Sequence, residues 1–389
     1  MFPLEDLRVL DLSRVVSGPF AGRMLGDLGA DVVKVEPPEG DISRVWGELR
    51  HGLSGFYTQQ NAGKRNVCVD LRAPGAADVV VGLAAAADIM IENFRPGVLD
   101  RLGIGWDVLR AANPALILLS ITGFGQVGPE AGRQAYAPVT HAESGLVTRQ
   151  AEADGDRASD FVLSIADAIA GLHGLVAVLA AVHLRQRTGC GQRVDMAMAD
   201  AMVASDDYAH HALDGSPLVR LGGEVWEAPG GPIMVAGVFR NTWKAVSSAH
   251  RLPDPAPAGA DLATKIALRR RVVADWMVGF STRAALIKAL EEAGVAWAEL
   301  RTSTEALAGP TATARRAVAE VDDRGGGRRR VVQSPYRFSD ASAGLRGGAP
   351  HRGEHNGEVL AEWLGWDASR VASLEAAGVL LSARPADEP

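Results

Sequence analysis

Cysteine is scarce in this sequence, because the 389 residues include only Cys68 and Cys190. Two cysteines cannot build a disulfide framework, and their spacing does not suit a zinc site. Acidic residues outnumber basic ones, and the formal net charge is −7. Nucleic acid is therefore a poor default partner. The amino terminus lacks a basic segment followed by an apolar stretch, which argues against a signal peptide. Together these absences predict a reduced, cytoplasmic protein that binds neither nucleic acid nor membrane.

One stretch, residues 161–184, is apolar enough to be mistaken for a membrane span. It carries Ser164, Asp167, His173 and His183. A charge near the centre of a bilayer is costly. We therefore expect this stretch to form a buried helix of a large soluble protein.

The overall composition is that of a globular protein, with 47% hydrophobic and 22% charged residues. Strand and helix signals alternate over the first 125 residues, and this alternation predicts a parallel sheet covered by helices. The predicted strands are 8–12, 31–36, 88–93 and 115–121, and the predicted helices of the first half are 21–28, 98–112, 141–148, 162–187 and 193–212.

The character of the chain changes after residue 216, where glycine and proline become frequent. A helical pattern over 283–294 followed by a strand-like 295–300 predicts a smaller α+β domain. The tail at 356–380 has helical periodicity again and is expected to pack on the first domain. The sequence thus predicts an α/β fold with a large domain over 1–215, a small domain over 216–324 and a return segment over 325–389 that completes the large domain.

A glycine-containing turn follows the first predicted strand. The turn starts at Ser17, and the acidic Glu36 lies about 20 residues further on, as in dinucleotide sites. However, the G-x-G-x-x-G spacing is absent, and Pro19 lacks an N–H that a phosphate could use. A structural strand–helix–strand unit is the better interpretation.

Asp167 stands inside an apolar run rich in small residues, at the start of a predicted helix. In one interpretation Ser164 is the N-cap of that helix and Asp167 is the third residue of a capping box. In the other, Asp167 is a carboxylate nucleophile, which the helix dipole keeps ionised and burial makes more basic. Composition and spacing alone leave both interpretations open.

Two further groups of polar residues invite functional interpretation. Several basic residues lie on predicted loops, where the ligand crevice of an open α/β sheet is found, and could meet a phosphate; they are Lys64, Arg65, Arg72, Arg95, Arg101 and Arg133. The segment 206–211 mixes Asp and His, but a polar helix face explains it better than a metal site. We expect no metal. The chain has no G-x-S-x-G, Walker A or H-E-x-x-H motif, which disfavours serine hydrolases, P-loop proteins and zincins.

Taken in order, many segments resemble the family III CoA-transferases, also called the CaiB/BaiF family. The resemblance is most specific in the first 200 residues. Its segments are LDL at 10–12, SGPF at 17–20, LGADVVKVEP at 28–37, GDISR at 40–44, NAGKR at 61–65, VDLR at 69–72, DIMIENFRPG at 88–97, LGIG at 102–105, SITGFG at 120–125, DAIAG at 167–171, RTGCGQ at 187–192 and LAEWLG at 360–365.

The resemblance implies that Asp167 is the nucleophile of an acyl-CoA:carboxylate CoA-transferase. The implied intermediates are a mixed anhydride on the aspartate and then an aspartyl-CoA thioester. Coenzyme A enters as the acyl-CoA substrate, and a free carboxylic acid is the second partner. The family also forms interlocked homodimers, which we expect here as well.

The resemblance further implies where coenzyme A lies. The expected contacts fall on loops that follow the predicted strands, with arginines facing the phosphates and Phe94 on the adenine side. They are Val16, Ser17, Val69, Asp70, Leu71, Arg72, Asn93, Phe94, Arg95, Arg101, Gln134 and Tyr136.

Two alternatives remain within the same resemblance. The family includes 2-methylacyl-CoA racemases, which use a histidine at the position that Tyr136 holds here. His141 lies five residues later and is expected to point elsewhere, so one of two proton carriers is missing and transfer is favoured. The other alternative is an inactive paralogue that binds coenzyme A without turnover.

Overall fold

The computed structural model describes residues 1–218 and 222–382. It divides into two compact units: Met1–Asp207 with the described residues from Thr311 onward, and Tyr208–Pro310. The sequence-based boundaries at 215/216 and 324/325 lie further along the chain. One cause is a hairpin over 318–332, which belongs to the large unit because its Arg329 donates to the Leu53 carbonyl oxygen at 2.7 Å.

The strands are short, and most of those in the large unit are buried. In chain order they are β1 Arg8–Asp11, β2 Asp31–Glu36, β3 Leu49–Arg50, β4 Leu53–Ser54, β5 Arg65–Cys68, β6 Ile89–Glu92, β7 Ile117–Thr122, β8 Arg193–Ala197, β9 Glu224–Trp226, β10 Ile233–Val235, β11 Trp297–Glu299, β12 Val318–Asp322 and β13 Arg328–Val332.

The helices follow the strands of the large unit and dominate the small one. In chain order they are α1 Ser17–Asp27, α2 Gly55–Asn61, α3 Ala76–Ala85, α4 Val98–Arg101, α5 Trp106–Ala112, α6 Ala137–Glu143, α7 Leu146–Asp154, α8 Ile165–Thr188, α9 Met198–Ala204, α10 Ala209–Asp214, α11 Phe239–His250, α12 Leu262–Val278, α13 Arg283–Glu292, α14 Ser303–Ala308, α15 Pro310–Ala314, α16 Asn356–Leu364 and α17 Ala368–Ala376. A 3₁₀ turn covers Ile42–Val45.

A six-stranded parallel sheet forms the centre of the large unit, in the order β5-β2-β1-β6-β7-β8. Side chains alternate along each strand, so that Leu10 and Val33 join one apolar layer while Val9 and Val32 join the other. Both faces are covered by helices, which is why the strands read as continuous apolar runs. The predicted Rossmann-like α/β fold is confirmed. The strand order reverses between β1 and β6, and the loops after these two strands therefore diverge.

Three predicted helices are corrected by the structure. The predicted helix 141–148 is broken at residues 144 and 145, where Gly145 has a φ of 77°, so that its two halves belong to α6 and α7. Residues 193–212 were expected to be one helix, but 193–197 form β8, which pairs with β7 at the edge of the sheet. The alternating burial of β8 is typical of a strand, and pairing with β7 overrides local helix propensity. The predicted helix 98–112 is interrupted after Arg101, because Gly103 adopts a φ of 73° that a helix does not allow.

Helix α8 is the long apolar helix expected from the sequence, but it is only half-buried. Its small residues face α1 and the sheet, and a Cβ at Gly171 would lie 2.8 Å from the Ser17 carbonyl oxygen. The opposite side exposes 43% of Leu172 and 65% of Val176. Within the described residues α8 is the one helix long and apolar enough to cross a membrane by length and composition.

The tail packs on the first part of the chain, as predicted. In α16, Leu360 and Trp363 enter the same apolar layer as Leu83 of α3. Further on, the Asp70 N–H donates to the Val379 carbonyl oxygen at 2.9 Å. One apolar layer of the large unit is thus completed by residues from the far end of the sequence.

The small unit is the predicted α+β domain. Its antiparallel sheet has the order β11-β10-β9. Helices α11, α12 and α13 contribute Trp243, Val273 and Leu286 to an apolar core that also contains Trp226 of β9.

Candidate active site

A cavity of about 340 Å³ opens at the point where the strand order of the large sheet reverses. The loops after β1, β6 and β7 form its walls, as expected for the crevice at the carboxyl ends of parallel strands. The residues that line it are Arg14, Val15, Ser17, Ile42, Asn93, Phe94, Arg95, Pro96, Ile121, Thr122, Gly123, Ala131, Arg133, Gln134, Ala135, Tyr136, Asp167 and Met198.

Asp167 lies in this cavity, in the first turn of α8. Burial raises the pKa of its carboxyl group, while hydrogen bonds from the Ser17 hydroxyl, the Ser17 backbone N–H and the Ala137 backbone N–H oppose that rise. Ser17 is the first residue of α1, so the carboxylate faces the positive end of that helix as well as lying near the start of α8. The arrangement suits a carboxylate that is ionised, poorly hydrated and therefore nucleophilic.

The capping-box interpretation of Asp167 is wrong, since the Ser164 side chain makes no cap hydrogen bond. Instead, the backbone N–H of Ala166 donates to Nε2 of His141 at 3.0 Å. His141 is fully buried and does not line the cavity, so it points elsewhere, as expected. No histidine is among the residues that line the cavity in the described part of the chain.

The loop from Ser13 to Ser17 reaches the cavity in an unusual conformation. Val15 has a φ of 71°, which is strained for a β-branched residue. The amide of Asn93 holds the neighbouring residue from both sides: the Arg14 N–H donates to Oδ1, and Nδ2 donates to the Arg14 carbonyl oxygen, each at 2.8 Å. The same Nδ2 also donates to the Ser17 hydroxyl at 3.5 Å. Asn93 lines the cavity, but its amide group is engaged by this loop.

A buried set of charges lies behind the loop. The Val15 N–H donates to the Asp41 carboxylate, with the shorter contact at 3.1 Å, and Lys34 Nζ donates to the Ser13 carbonyl oxygen at 2.7 Å. Lys34 and Asp41 form an ion pair at 3.2 Å. Burial works against both charges, yet Lys34 and the hydrogen bonds of Ser43 lower the pKa of Asp41 to about 2, and the carboxylates around Lys34 raise its pKa above the ordinary value.

A second pair supports the same region. Lys64 Nζ lies 2.8 Å from Asp11 Oδ2 and also donates to the Pro19 carbonyl oxygen at 2.9 Å. Burial lowers the pKa of Lys64 to about 8, although Asp11 opposes that change. Buried charged groups thus hold the backbone at Ser13, Val15 and Pro19, and these bonds maintain the strained conformation of Val15.

Glu92, at the end of β6, is a buried carboxyl group below the cavity. Its Oε2 accepts the Phe94 N–H at 2.8 Å. Burial raises the pKa of Glu92 to about 7. Phe94 in turn lies under the Arg14 guanidinium, 5.7 Å from ring centroid to Cζ.

The expected coenzyme A contacts divide into two groups. Those that line the cavity with Asp167 are Ser17, Asn93, Phe94, Arg95, Gln134 and Tyr136. Those outside it are Val16, Val69, Asp70, Leu71, Arg72 and Arg101. Val16 is the buried N-cap residue of α1, and Arg72 is exposed and bound to Asp70 at 2.9 Å.

The other basic residues and Glu36 have mostly structural partners. Arg65 bonds to Asp31. Arg133 lines the cavity but pairs with Glu143 at 2.7 Å. Glu36 is buried against Arg44 and the Tyr57 hydroxyl, which agrees with a structural strand–helix–strand unit rather than a dinucleotide site. Within residues 1–218 and 222–382, no group of three or more His, Cys, Asp or Glu side chains is arranged to hold a metal ion.

Sequence reasoning missed several residues that line the cavity. The most important of these for ligand binding is Arg14. Within the described chain Arg14, like the predicted Arg95, has no carboxylate at ion-pair distance, so its charge is available to a ligand in the cavity. Its position directly after a predicted strand was a usable signal. Ile42 and Met198 carry no such signal, since their positions depend on the tertiary fold.

Comparison with known proteins agrees with this geometry. The model of CoA-transferase family III matches residues 4–356. A succinyl-CoA–D-citramalate CoA-transferase from Chloroflexus aurantiacus is 31% identical over 97% of this chain and 98% of its own length. A succinate–glutarate CoA-transferase from Agrobacterium fabrum is 33% identical over 92% of this chain and 95% of its own length.

Comparison with a solved structure points to the same family. The crystal structure of a CaiB/BaiF family protein from Brucella suis superposes with a TM-score of 0.79 at 31% identity, and covers 93% of this chain and 99% of that one. The fold, the cavity and these matches define an enzyme of the CoA-transferase class. The chain belongs to CoA-transferase family III, the CaiB/BaiF family.

Proposed function

We propose that this enzyme moves coenzyme A from an acyl-CoA to a free carboxylic acid, with Asp167 as the nucleophile. The observation that carries the proposal is the position of Asp167: a half-buried carboxylate with raised pKa, in the cavity at the sheet reversal, with backbone N–H groups of Ser17 and Ala137 beside it.

The first half-reaction needs two exchanges. An Asp167 oxygen attacks the thioester carbonyl carbon, the C–S bond breaks and CoA thiolate leaves, which produces a mixed anhydride. The thiolate then attacks the aspartyl carbonyl carbon, the anhydride C–O bond breaks and the donor acid leaves as its carboxylate. The product is an aspartyl-CoA thioester, and no proton is gained or lost.

The second half-reaction is the same sequence in reverse. The acceptor carboxylate attacks the aspartyl thioester, CoA thiolate leaves, and the thiolate attacks the acceptor's carbonyl carbon in the new anhydride. Asp167 is released as a carboxylate. The N–H groups of Ser17 and Ala137 are suited to stabilise the tetrahedral oxyanions, and burial of Asp167 suits a reaction that water must not enter.

For the substrates we propose dicarboxylic acids and their CoA esters. The relatives from Chloroflexus and Agrobacterium are named for succinyl-CoA with citramalate and for succinate with glutarate. The guanidinium groups of Arg14 and Arg95 at the cavity suit the phosphates of coenzyme A and a second carboxylate. A panel of acceptors assayed with succinyl-CoA tests this, and faster turnover with monocarboxylic acids than with dicarboxylic acids of similar length would overturn it.

We also propose an interlocked homodimer in the cytoplasm. Leu172 and Val176 lie one turn apart on α8 and are exposed, which suits burial against a second copy. Cys68 and Cys190 are both free, in keeping with a reducing compartment. Light scattering tests the dimer, and a monomer at micromolar concentration would contradict it.

Mass spectrometry tests the nucleophile directly. After mixing with succinyl-CoA, the peptide that contains Asp167 should carry coenzyme A, and Asp167→Asn should carry none and lose at least about a thousandfold in kcat. Asp200→Asn, an exposed aspartate on α9, is the matched control and should behave as the wild type. Turnover by Asp167→Asn at the wild-type rate would refute the role of Asp167.

A further inference from the structure

The start of α8 has an unusual cap. The first N–H groups of a helix have no partner within it and need an acceptor from elsewhere. Here the Ile165 N–H donates to the Leu163 carbonyl oxygen at 2.8 Å, and the Ser164 side chain makes no cap bond. Ala166 is fully buried, so its N–H needs an acceptor within the protein. That acceptor is Nε2 of His141, at 3.0 Å.

This contact fixes the state of the imidazole. Because the Ala166 N–H is a donor, Nε2 must present its lone pair, and the ring proton must sit on Nδ1. Nδ1 lies 2.8 Å from Asp160 Oδ1, where it donates to the carboxylate. The edge-on ring of Phe161, with centroids 5.7 Å apart, packs beside the imidazole. The side chain of His141 is only 1% exposed.

The contact also joins two parts of the site. His141 lies on α6, and α6 begins with Ala137, whose N–H faces the Asp167 carboxylate. The same helix therefore touches α8 at both Ala166 and Asp167. Loss of the bond to Ala166 would let the carboxylate move relative to the Ala137 N–H, even if both helices stayed folded.

We propose that His141 and Asp160 are positioning residues for the nucleophile: the neutral imidazole caps α8 at Ala166, and Asp160 holds the tautomer that makes this possible. The inference rests on the proposed role of Asp167. Small displacements of a reacting group are costly for the rate, whereas acyl-CoA binding does not depend on this contact. Its signature is therefore a fall in kcat with little change in KM.

Two substitutions of similar size, His141→Gln and His141→Asn, distinguish the effect of the hydrogen bond to Ala166 from the effect of losing the imidazole ring. The amide oxygen of Gln reaches the position of Nε2 and can accept the Ala166 N–H, whereas the shorter Asn reaches only the position of Nδ1. We expect His141→Asn to lower kcat about 10- to 100-fold with KM for succinyl-CoA within threefold. We expect His141→Gln to stay within about threefold of the wild-type kcat.

His173→Asn is the matched control. His173 lies on α8, the helix that His141 caps, and its Nε2 lies 2.8 Å from the Ser205 hydroxyl rather than from a backbone N–H. The wild-type kcat is expected for this variant. Equal losses of kcat in His141→Gln and His141→Asn, or unchanged kcat in both, would overturn the proposal.

Two structural readouts do not depend on the reaction. Hydrogen exchange at the Ala166 amide should be slow in the wild type and in His141→Gln, and faster in His141→Asn. Nitrogen-15 NMR of histidine-labelled wild-type enzyme should show His141 Nε2 without a proton, and this measurement stands even if a variant fails to fold. A proton on Nε2 would overturn the proposal, whereas a failure of Asp167 to carry coenzyme A would leave the cap intact and refute only the proposed function.

Discussion

Two loops of the large unit follow parallel strands of the same sheet, β1 and β5, which β2 separates, and the two loops are held by different contacts. The loop over 13–17, after β1, is attached to buried charges and to both ends of the Asn93 amide. The segment over 69–72, after β5, is attached to the tail by backbone contacts, and its Arg72 is 71% exposed and bonded to Asp70. Only the first loop lines the cavity with Asp167.

The difference between the two loops follows from the reversal of strand order, which occurs next to the first loop and not next to the second. At β1 and β6 the connections run in opposite directions, so that a crevice opens and its wall must be held without help from a neighbouring helix. The strained Val15 is retained there because Asp41 and Asn93 determine the backbone around it. The segment after β5 has no such requirement. Mutations should therefore affect the first loop strongly and the second weakly.

Asp41→Ala should have the largest effect on stability. It removes the acceptor of the Val15 N–H and leaves Lys34 buried without its ion-pair partner, which costs about 3–5 kcal/mol. Urea denaturation followed by circular dichroism measures this change. The matched variant Asp70→Ala, in the exposed pair with Arg72, should change the free energy of unfolding by less than about 1 kcal/mol. Equal losses of stability from the two substitutions would contradict the claim that buried charges hold the loop over 13–17 but not the segment over 69–72.

The Asp41 effect should also depend on pH. A carboxyl group whose folded pKa is lowered contributes stability above its unfolded pKa and loses it as the pH falls through the folded value. The difference in unfolding free energy between wild type and Asp41→Ala should be constant near neutrality and shrink as the pH falls from 3.8 toward about 2. A difference that stays constant throughout that range would show that the charge of Asp41 is not what holds the loop.

Gly171→Ala should disturb the loop over 13–17 from α8, which packs against Ser17. The added Cβ would lie 2.8 Å from the Ser17 carbonyl oxygen, which is backbone and must move. We expect a loss of about 1–3 kcal/mol in stability together with a lowered kcat, because Ser17 lies beside Asp167 and opposes the rise of its pKa. Gly357→Ala, on α16 with open space around it, is the control and should be neutral or slightly stabilising. Wild-type kcat in Gly171→Ala would show that the position of Ser17 is not critical.

Glu92→Gln tests the buried carboxyl group at the end of β6 through the pH dependence of the free energy of unfolding. Between pH 4.5 and about 7 the folded protein holds a proton on Glu92 that the unfolded chain releases. The free energy of unfolding of the wild type should therefore fall as the pH rises through this window, by roughly 1–3 kcal/mol. The variant should lack this fall in thermal or urea titrations at pH 5 and pH 8. The same fall in both proteins would assign it to another group.

The smallest expected effects concern coenzyme A. Arg95→Ala, in the cavity and without a carboxylate partner, should raise KM for succinyl-CoA about tenfold, which corresponds to about 1.4 kcal/mol. Arg72→Ala and Arg101→Ala, outside the cavity, should raise it less, because the exposed Arg72 already has Asp70 as its partner. A larger increase for Arg72→Ala than for Arg95→Ala would extend the coenzyme A site to the segment after β5.

The predictable part of the fold was the part with strong periodicity. Strands β1, β2, β6 and β7 are continuous apolar runs between turn residues, and the sequence identified each of them. Strand β8 was mistaken for a helix because an edge strand with mixed exposure carries no such run. The packing of the tail was predictable from its helical periodicity, whereas the exact division into units depends on long-range contacts.

The candidate site was predictable where resemblance supplied the positions. Asp167 and the loops after β1 and β6 meet in one cavity, but the backbone conformation of Val15 cannot be read from an ordinary valine. The cap on Ala166 comes from a histidine 25 residues earlier, and local sequence around Ser164 pointed to a different acceptor. Such contacts exist only once the helices are brought together.

The position of the tail has a consequence for the synthesis of this protein. One apolar layer of the sheet is closed by Leu360 and Trp363, and the backbone after Cys68 is bonded to residues 379–381. A nascent chain that has emerged only as far as the first two hundred residues therefore leaves that layer open on the ribosome. The large unit reaches its final form only when residues 360–381 have been translated, and until then its sheet needs protection from aggregation.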